Sequence, residues 1–254
     1  MERYSYSKLN SWHTCPKGWA MTYLDHRHGE GNAFSSFGTL CHALLEGYEK
    51  GEYELSTLAD LYEFSYPDAV QEPFPPNKCT DLAESYYRQG LEFFRTWEGY
   101  PDGTQILGVE QKFELPIDDD WILNGLIDLV YRDKRGRMHI RDHKSKKGFT
   151  KKELASYARQ LYIYSTAVKE QYGTFPEVLE FFCFRSDKVY EIPFDSKAYE
   201  EAMDWARETV REIRNASVYD PNPDLFYCCH LCNHRKDCRY GDTGRWSRHQ
   251  QRTA

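Results

Sequence analysis

Gly125-Leu126-Ile127-Asp128 and, after a turn, Ile140-Arg141-Asp142-His143-Lys144 are the residues that decide the fold. Both lie in extended runs of period two. Ile106 to Leu115, Trp121 to Arg132 and Met138 to Lys144 read as three adjacent strands, separated by the turns PIDDD and DKRG. On a strand, residues i and i+2 share a face, so Asp142 and Lys144 point one way and His143 the other. Asp128, on the neighbouring strand, joins them. Two carboxylates side by side hold a hard divalent cation through oxygen ligands, and such a cation polarises a phosphodiester and acidifies a bound water. Lys144 adds a positive donor that could position or deprotonate that water, or offset charge on the phosphate. An acid-x-Lys triplet on its own is also the pattern of an exposed ion pair on a surface strand, so its neighbours have to decide.

Upstream, Ser35 to Lys50 reads as a helix, with Phe37, Cys41, Leu44, Leu45 and Tyr48 at helical spacing and His42 beside that stripe. The chain then turns acidic and tyrosine-rich. Broken by PFPPNK at Pro73 to Lys78 and closed by a helix from Asp81 to Trp97, it predicts a helical insertion over 51–104. Downstream of the lysine-rich SKKGFTKK, Leu154, Ala158, Leu161, Ser165 and Val168 mark an amphipathic helix ended by Gly173 and Pro176. Gln160 and Tyr164 stand at i and i+4 on it, so both can face the substrate or Lys144. Val178 to Arg185 and Lys188 to Phe194 form a hairpin about Ser186-Asp187, and Ser196 caps a helix to about Arg214. The expected class is α/β, a mixed central sheet flanked by helices. Residues 220–254 are cysteine-rich and then basic, with no sustained apolar period, and need a ligand or a docking surface to become ordered.

The 254 residues suffice for one large domain, 1–254, with its own core. The formal charge is -7, which argues against indiscriminate nucleic-acid binding, but the charge is segregated. Glu46 to Asp120 carries 18 acidic against 5 basic residues, whereas Arg132 to Lys152 carries 10 basic against 2 acidic. Lys146, Lys147, Lys151 and Lys152 beside the triplet are candidates for phosphate contacts, and Arg235 to Arg252 is a second basic segment. Most of the aromatic residues are expected in the core; Phe149, Tyr157 and Trp246 are candidates for stacking on bases. No run approaches the ~18 apolar residues of a membrane span, and MERYSYSKLNSWHTC lacks the apolar centre of a signal peptide, so a cytoplasmic protein is expected.

Eight cysteines in such a chain point to metal or cluster ligation rather than disulfides. Cys229-x2-Cys232-x5-Cys238 places three thiolates within reach of one centre. Cys228 is adjacent, and Cys15, in Ser11-Trp12-His13-Thr14-Cys15-Pro16-Lys17, is the other candidate for a fourth. Zinc suits four thiolates as well as an iron-sulfur cluster does, and His230 or His234 could replace one of them. Cys41, Cys79 and Cys183 have no partners at ligand spacing.

A histidine on an early helix, then G-x-x-D, D-x-K and Q-x3-Y, in this order, resembles the RecB-like branch of the PD-(D/E)XK nucleases. The opening Tyr4 to Lys17, with one cysteine before the core and three after it, resembles the CRISPR-associated four-cysteine iron-sulfur exonucleases and the AddB-type nuclease domains. The resemblance implies that His42, Asp128, Asp142 and the main-chain carbonyl of His143 ligate Mg2+ or Mn2+. It further implies that Lys144 serves catalysis with Gln160 and Tyr164 in support, and that Cys15, Cys229, Cys232 and Cys238 bind a [4Fe-4S] cluster joining the two ends of the chain. The implied activity is exonucleolytic hydrolysis of DNA, on single strands or free ends, in recombination, repair, phage replication or CRISPR spacer processing, with the proteins of such a system as partners. Glu110 occupies the place where these nucleases often carry a first-strand acid, but alternation could equally put it in solvent, and it stays outside the expected set. A DNA-binding or assembly protein with little hydrolysis, a structure-specific endonuclease and a zinc-stabilised interaction protein are the rival readings.

Overall fold

The structure, a computed structural model, describes residues 1–224 and 226–240. They form two compact units: Met1–Tyr4 with Ala33–Trp205, and Ser5–Asn32 with the chain from Ala206 onward. Leu225, Trp246 and the arginines of the last fourteen residues lie outside the described residues.

The larger unit is built on a six-stranded mixed sheet. Strand β1 (Glu2–Tyr4) runs parallel to the start of β3 (Trp121–Arg132), and β2 (Gln105–Ile117) pairs antiparallel along the length of β3. Next come β4 (Met138–Lys144), antiparallel to β3, β5 (Val178–Cys183), parallel to β4, and β6 (Lys188–Pro193), antiparallel to β5. Parallel neighbours need a long crossover, and α6 (Lys151–Tyr172) supplies it between β4 and β5. Its start is fixed by a capping box in which Thr150 accepts from the Glu153 N–H and Glu153 reaches back to Thr150; Gly173, at φ 78°, ends it. All of β5 and all of β4 except Lys144 are buried, as strands covered on both faces must be.

Helices α3 (Ala33–Glu49), α4 (Leu58–Ala69) and α5 (Leu82–Thr96) cover one face. Phe37, Leu44 and Leu45 of α3, Leu58 and Tyr62 of α4 and Phe93 and Phe94 of α5 share one apolar cluster with Phe182 and Phe184 at the end of β5. Residues 51–104 therefore pack into the same core as the strand beside the acid-x-Lys triplet. The expected hairpin after β5 is tighter than alternation predicts: the strand stops at Cys183, Phe184–Ser186 make a 3-10 turn, and Asp187 turns left-handed at φ 49°.

In the smaller unit, α1 (Tyr6–Thr14) is capped by Ser5, and α2 (Pro16–Tyr23) begins with Cys15 as its cap and proline in its first turn. Trp12, Trp19 and Tyr219 pack ring on ring. Lys17 N–H donates to the Asp220 carbonyl at 3.0 Å and Glu30 N–H to that of Asn233 at 2.8 Å, so opposite ends of the chain form one body. After β6 comes the 20-residue helix α7 (Ser196–Asn215).

Candidate active site

The β3–β4 ladder stops at Leu129 opposite Arg141. Beyond it, the main-chain N–H of His143 donates to Asp128 Oδ2 at 2.7 Å. A carboxylate thus takes the acceptor place of a strand carbonyl, satisfying the buried donor while holding Asp128 at the foot of the triplet. On the other side of β3, Val109 pairs with Leu129 and Gln111 with Ile127, which leaves Glu110 across from Asp128. Glu110 has φ 49°, a conformation that costs a non-glycine residue free energy and is retained where a side chain has to be aimed.

From α3, His42 Nδ1 comes to 3.6 Å from Asp128 Oδ2. Ligand atoms of His42, Glu110 and Asp128 all lie within 4.8 Å of one another. The histidine and Asp128 were expected together; Glu110 is the third member, and the left-handed kink that puts it there leaves no mark in a strand's alternation. The main chain of His143, whose carbonyl was the further ligand expected, raises the proton affinity of the His42 imidazole slightly and so lies close to it.

Asp142 is engaged differently. Lys144 Nζ lies 2.6 Å from its Oδ2, and Gln160 Nε2 donates to its Oδ1 at 2.7 Å, while Lys144 Nζ also donates to Gln160 Oε1 at 3.2 Å. Gln160 therefore bridges acid and lysine, and α6 is the element that brings it there. One turn on, Tyr164 is buried with its ring edge-on to Phe113 at 5.2 Å. A Cβ on Gly125 would come within 2.6 Å of Phe113 and 3.0 Å of Tyr164, so the glycine of the G-x-x-D segment is what lets α6 lie against β3.

The electrostatics describe a place short of positive charge. Burial, with the neighbouring Asp142 second, raises the Asp128 carboxyl to about 7. Burial and then Glu46 raise Glu110. The His42 side chain keeps 31% of its surface open, yet burial and then His143 lower its pKa to about 4, so its ring is neutral and a lone pair is available. Burial alone would lower Lys144, but Asp142 outweighs it and the pKa is raised. Carboxylates whose ionised forms are penalised, beside a neutral imidazole, fit a hard divalent cation: ligand oxygens ~2.0–2.6 Å from one ion can stand about as far apart as these atoms do. Mg2+ and Mn2+ both suit this donor set.

Of the expected phosphate contacts, Lys147, Lys151 and Lys152 are exposed, whereas Lys146 pairs with Glu153 at 2.8 Å and lies over Phe149 and Tyr157. Phe149 packs on Tyr157, Phe181 and Tyr190, which makes it a brace for the lysine loop rather than a free stacking platform.

Within the smaller unit, Cys15, Cys228 and Cys232 are buried, and Cys229 and Cys238 are partly buried. Burial raises the Cys228 thiol to about 11, with Cys15, Cys232, Cys238 and Cys229 adding to the effect in that order, so five sulfurs share one neighbourhood. Gly18 and Asn222 both donate main-chain N–H groups to Cys15 Sγ at 3.3 Å. Backbone donors aimed at a sulfur are what a cluster-ligating thiolate needs, so the donor set fits an iron-sulfur cluster and, equally, zinc. The spacing named Cys229. A π-helical turn over Tyr227–Leu231 buries Cys228 instead, its thiol donating to the Asn222 carbonyl at 3.3 Å.

The Gene 69 protein of Mycobacterium phage D29 is 26% identical over 261 aligned residues, spanning 88% of this chain and 92% of that protein. The crystal structure of SSO0001 superposes with TM-score 0.38 at 15% identity, over 95% of this chain and 88% of that one. A structure from Eubacterium rectale, named as an exonuclease candidate, superposes with TM-score 0.46 at 13% identity, over 92% and 88%. The sequence profile of the PD-(D/E)XK nucleases matches residues 3–239, nearly the whole chain and every site residue described above, and the protein belongs to the PD-(D/E)XK nuclease superfamily.

Proposed function

We propose that the protein is a divalent-metal-dependent deoxyribonuclease that removes nucleotides from single-stranded or free DNA ends. One observation carries the hydrolytic reading: the His42, Glu110 and Asp128 ligand atoms converge beside a lysine held by Asp142 and Gln160. A binding or assembly protein has no use for buried carboxylates whose ionisation is penalised. The end preference rests on the resemblance to four-cysteine exonucleases.

A bound Mg2+ or Mn2+ would supply Lewis-acid polarisation of the scissile phosphate and a water acidified toward neutral pH. His42, Glu110 and Asp128 would hold it, with the His143 carbonyl at hand, and Asp142 would join once Lys144 turns toward the substrate. Lys144 keeps its proton next to Asp142, which suits charge neutralisation on a phosphate oxygen and orientation of the attacking water better than proton abstraction. Gln160 limits the directions in which the ammonium can swing. Lys147, Lys151 and Lys152 are placed to meet the backbone phosphates leading into the site.

End-labelled linear single-stranded DNA should be shortened to nucleotides by anaerobically purified protein in Mn2+, and left intact in EDTA. A covalently closed circle should survive in the same tube. Cutting of the circle would replace the exonuclease reading by the endonuclease one; binding without cutting of either would leave an assembly role.

The smaller unit, on the same reading, carries a [4Fe-4S] cluster on Cys15, Cys232, Cys238 and either Cys229, which the spacing favours, or Cys228, which the π-turn buries. Such ligation stabilises a segment that could not otherwise bury enough surface. The purified protein should be brown, with about four irons per chain, and Cys15→Ala or Cys232→Ala should lose the colour. Colourless protein with one zinc would settle the matter for zinc. Whichever of Cys228→Ala and Cys229→Ala drains the metal identifies the fourth ligand.

A further inference from the structure

We infer that Glu49, through the imidazole of His143, is a positioning residue for the metal site. The inference rests on the metal-dependent reading above and goes beyond it to a residue that touches neither metal nor substrate.

His143 lies between the acid and the lysine, and its side chain points away from both into the protein, where it is 3% exposed. Its Nε2 lies 2.9 Å from Glu49 Oε1. Glu49, 7% exposed, also accepts the hydroxyl of Tyr100. A carboxylate this deep is tolerated only where such partners satisfy it.

Two further contacts make His143 the hub of the site. Its main-chain N–H holds Asp128 Oδ2 at 2.7 Å, and its ring stands edge-on to that of His42 at 5.6 Å between centroids. His42 and Glu49 both belong to α3, two helical turns apart on one face. One helix therefore grips β4 twice, from the metal side through His42 and from the interior through Glu49.

If the ring of His143 loses Glu49, it keeps no described hydrogen bond, since its Nδ1 has none, and only the edge-on packing of His42 and Phe182 is left to set its rotation. The same residue's main-chain N–H holds Asp128 and its ring braces that of His42, so the spacing of two metal donors depends on a carboxylate that reaches neither of them. Groups that orient ligands from behind in this way typically contribute ~10–100-fold in metal affinity.

The test is Mn2+ binding to the metal-free full-length protein, followed by loss of the free-ion EPR signal, alongside kcat and KM for single-stranded DNA at saturating Mn2+. Glu49→Ala is expected to raise the Mn2+ midpoint by about tenfold, with kcat at saturation within about twofold and KM for DNA unchanged. Glu49→Gln, which keeps an acceptor for His143, should recover most of that loss. Should Glu49→Ala fail to fold, Tyr100→Phe carries the test, since it removes a donor from Glu49 and leaves the bond to His143; its midpoint should rise by about threefold. A wild-type midpoint in whichever of these variants folds, or a fall in kcat that saturating Mn2+ does not repair, overturns the proposal. A wild-type protein that takes up no Mn2+ overturns the metal reading itself, a result distinct from an unshifted variant.

Discussion

Replacing Lys144 by alanine should lower kcat on single-stranded DNA by about 10²–10³-fold, the usual cost of deleting one charge-stabilising donor from a phosphoryl or acyl transfer site. Mn2+ should bind the variant at least as tightly as the wild type. The expected direction follows from the ion pair in which Lys144 Nζ lies 2.6 Å from Asp142 Oδ2, since the lysine competes for a carboxylate that a cation would use. Arginine is expected not to rescue, because a planar guanidinium needs a fork of acceptors where Asp142 and Gln160 together hold a single ammonium. Single-turnover rates measured beside Mn2+ titrations separate the two effects. An alanine variant that cuts at the wild-type rate would remove Lys144 from the mechanism.

Asp128→Asn should abolish Mn2+-dependent cleavage and at the same time raise the melting temperature of the metal-free protein at pH 8. Asp128 is a carboxyl whose folded pKa, about 7, stands above its ordinary 3.8 because of burial and Asp142. A raised carboxyl binds its proton more tightly in the folded state, so its contribution is most favourable at low pH and declines as pH climbs from about 4 to about 7. Above that window the whole penalty is present, on the order of 4 kcal/mol. Asparagine removes the charge but keeps an oxygen for the His143 N–H. The variant should therefore melt several degrees higher than the metal-free wild type at pH 8 and close to it at pH 4.5, a difference that scanning calorimetry at the two pH values reads directly. Added Mn2+ should stabilise the wild type and leave the variant unmoved. Equal melting at both pH values would show that Asp128 is not under the strain described.

The strands that carry the site were readable because alternation and turn residues mark them without reference to anything distant, and Asp128, Asp142, Lys144 and Gln160 come together as their order suggests. Glu110 has no fixed place in the sequence pattern, because its side chain is aimed by a left-handed backbone that no residue type at that position announces. Glu49 was invisible for another reason: its partners His143 and Tyr100 stand 94 and 51 residues away, and a buried carboxylate looks in sequence like any helical surface acid. The buried Arg141–Glu180 pair, 39 residues apart at 2.7 Å, escaped in the same way. Helices α1 and α2, of nine and eight residues, are too short to show a clear period, although Ser5 and Cys15-Pro16 mark their starts. Between Cys228 and Cys229, spacing favours one and the π-turn the other, since one extra residue per turn re-aims neighbouring side chains.

The smaller unit takes its strands of chain from opposite ends, Ser5–Asn32 and the residues from Ala206 onward. A ribosome delivers these pieces far apart in time. At about 5–20 residues per second, the first waits roughly ten to forty seconds for the second, during which Trp12, Trp19 and Cys15 have none of their Asn222 or Tyr219 neighbours. The unit that holds Asp128, Asp142 and Lys144 is complete in sequence once Trp205 has emerged. A nascent chain therefore possesses Asp128, Asp142 and Lys144 before the smaller unit has its second piece, and any message truncated after that point would release the larger unit without a complete smaller one.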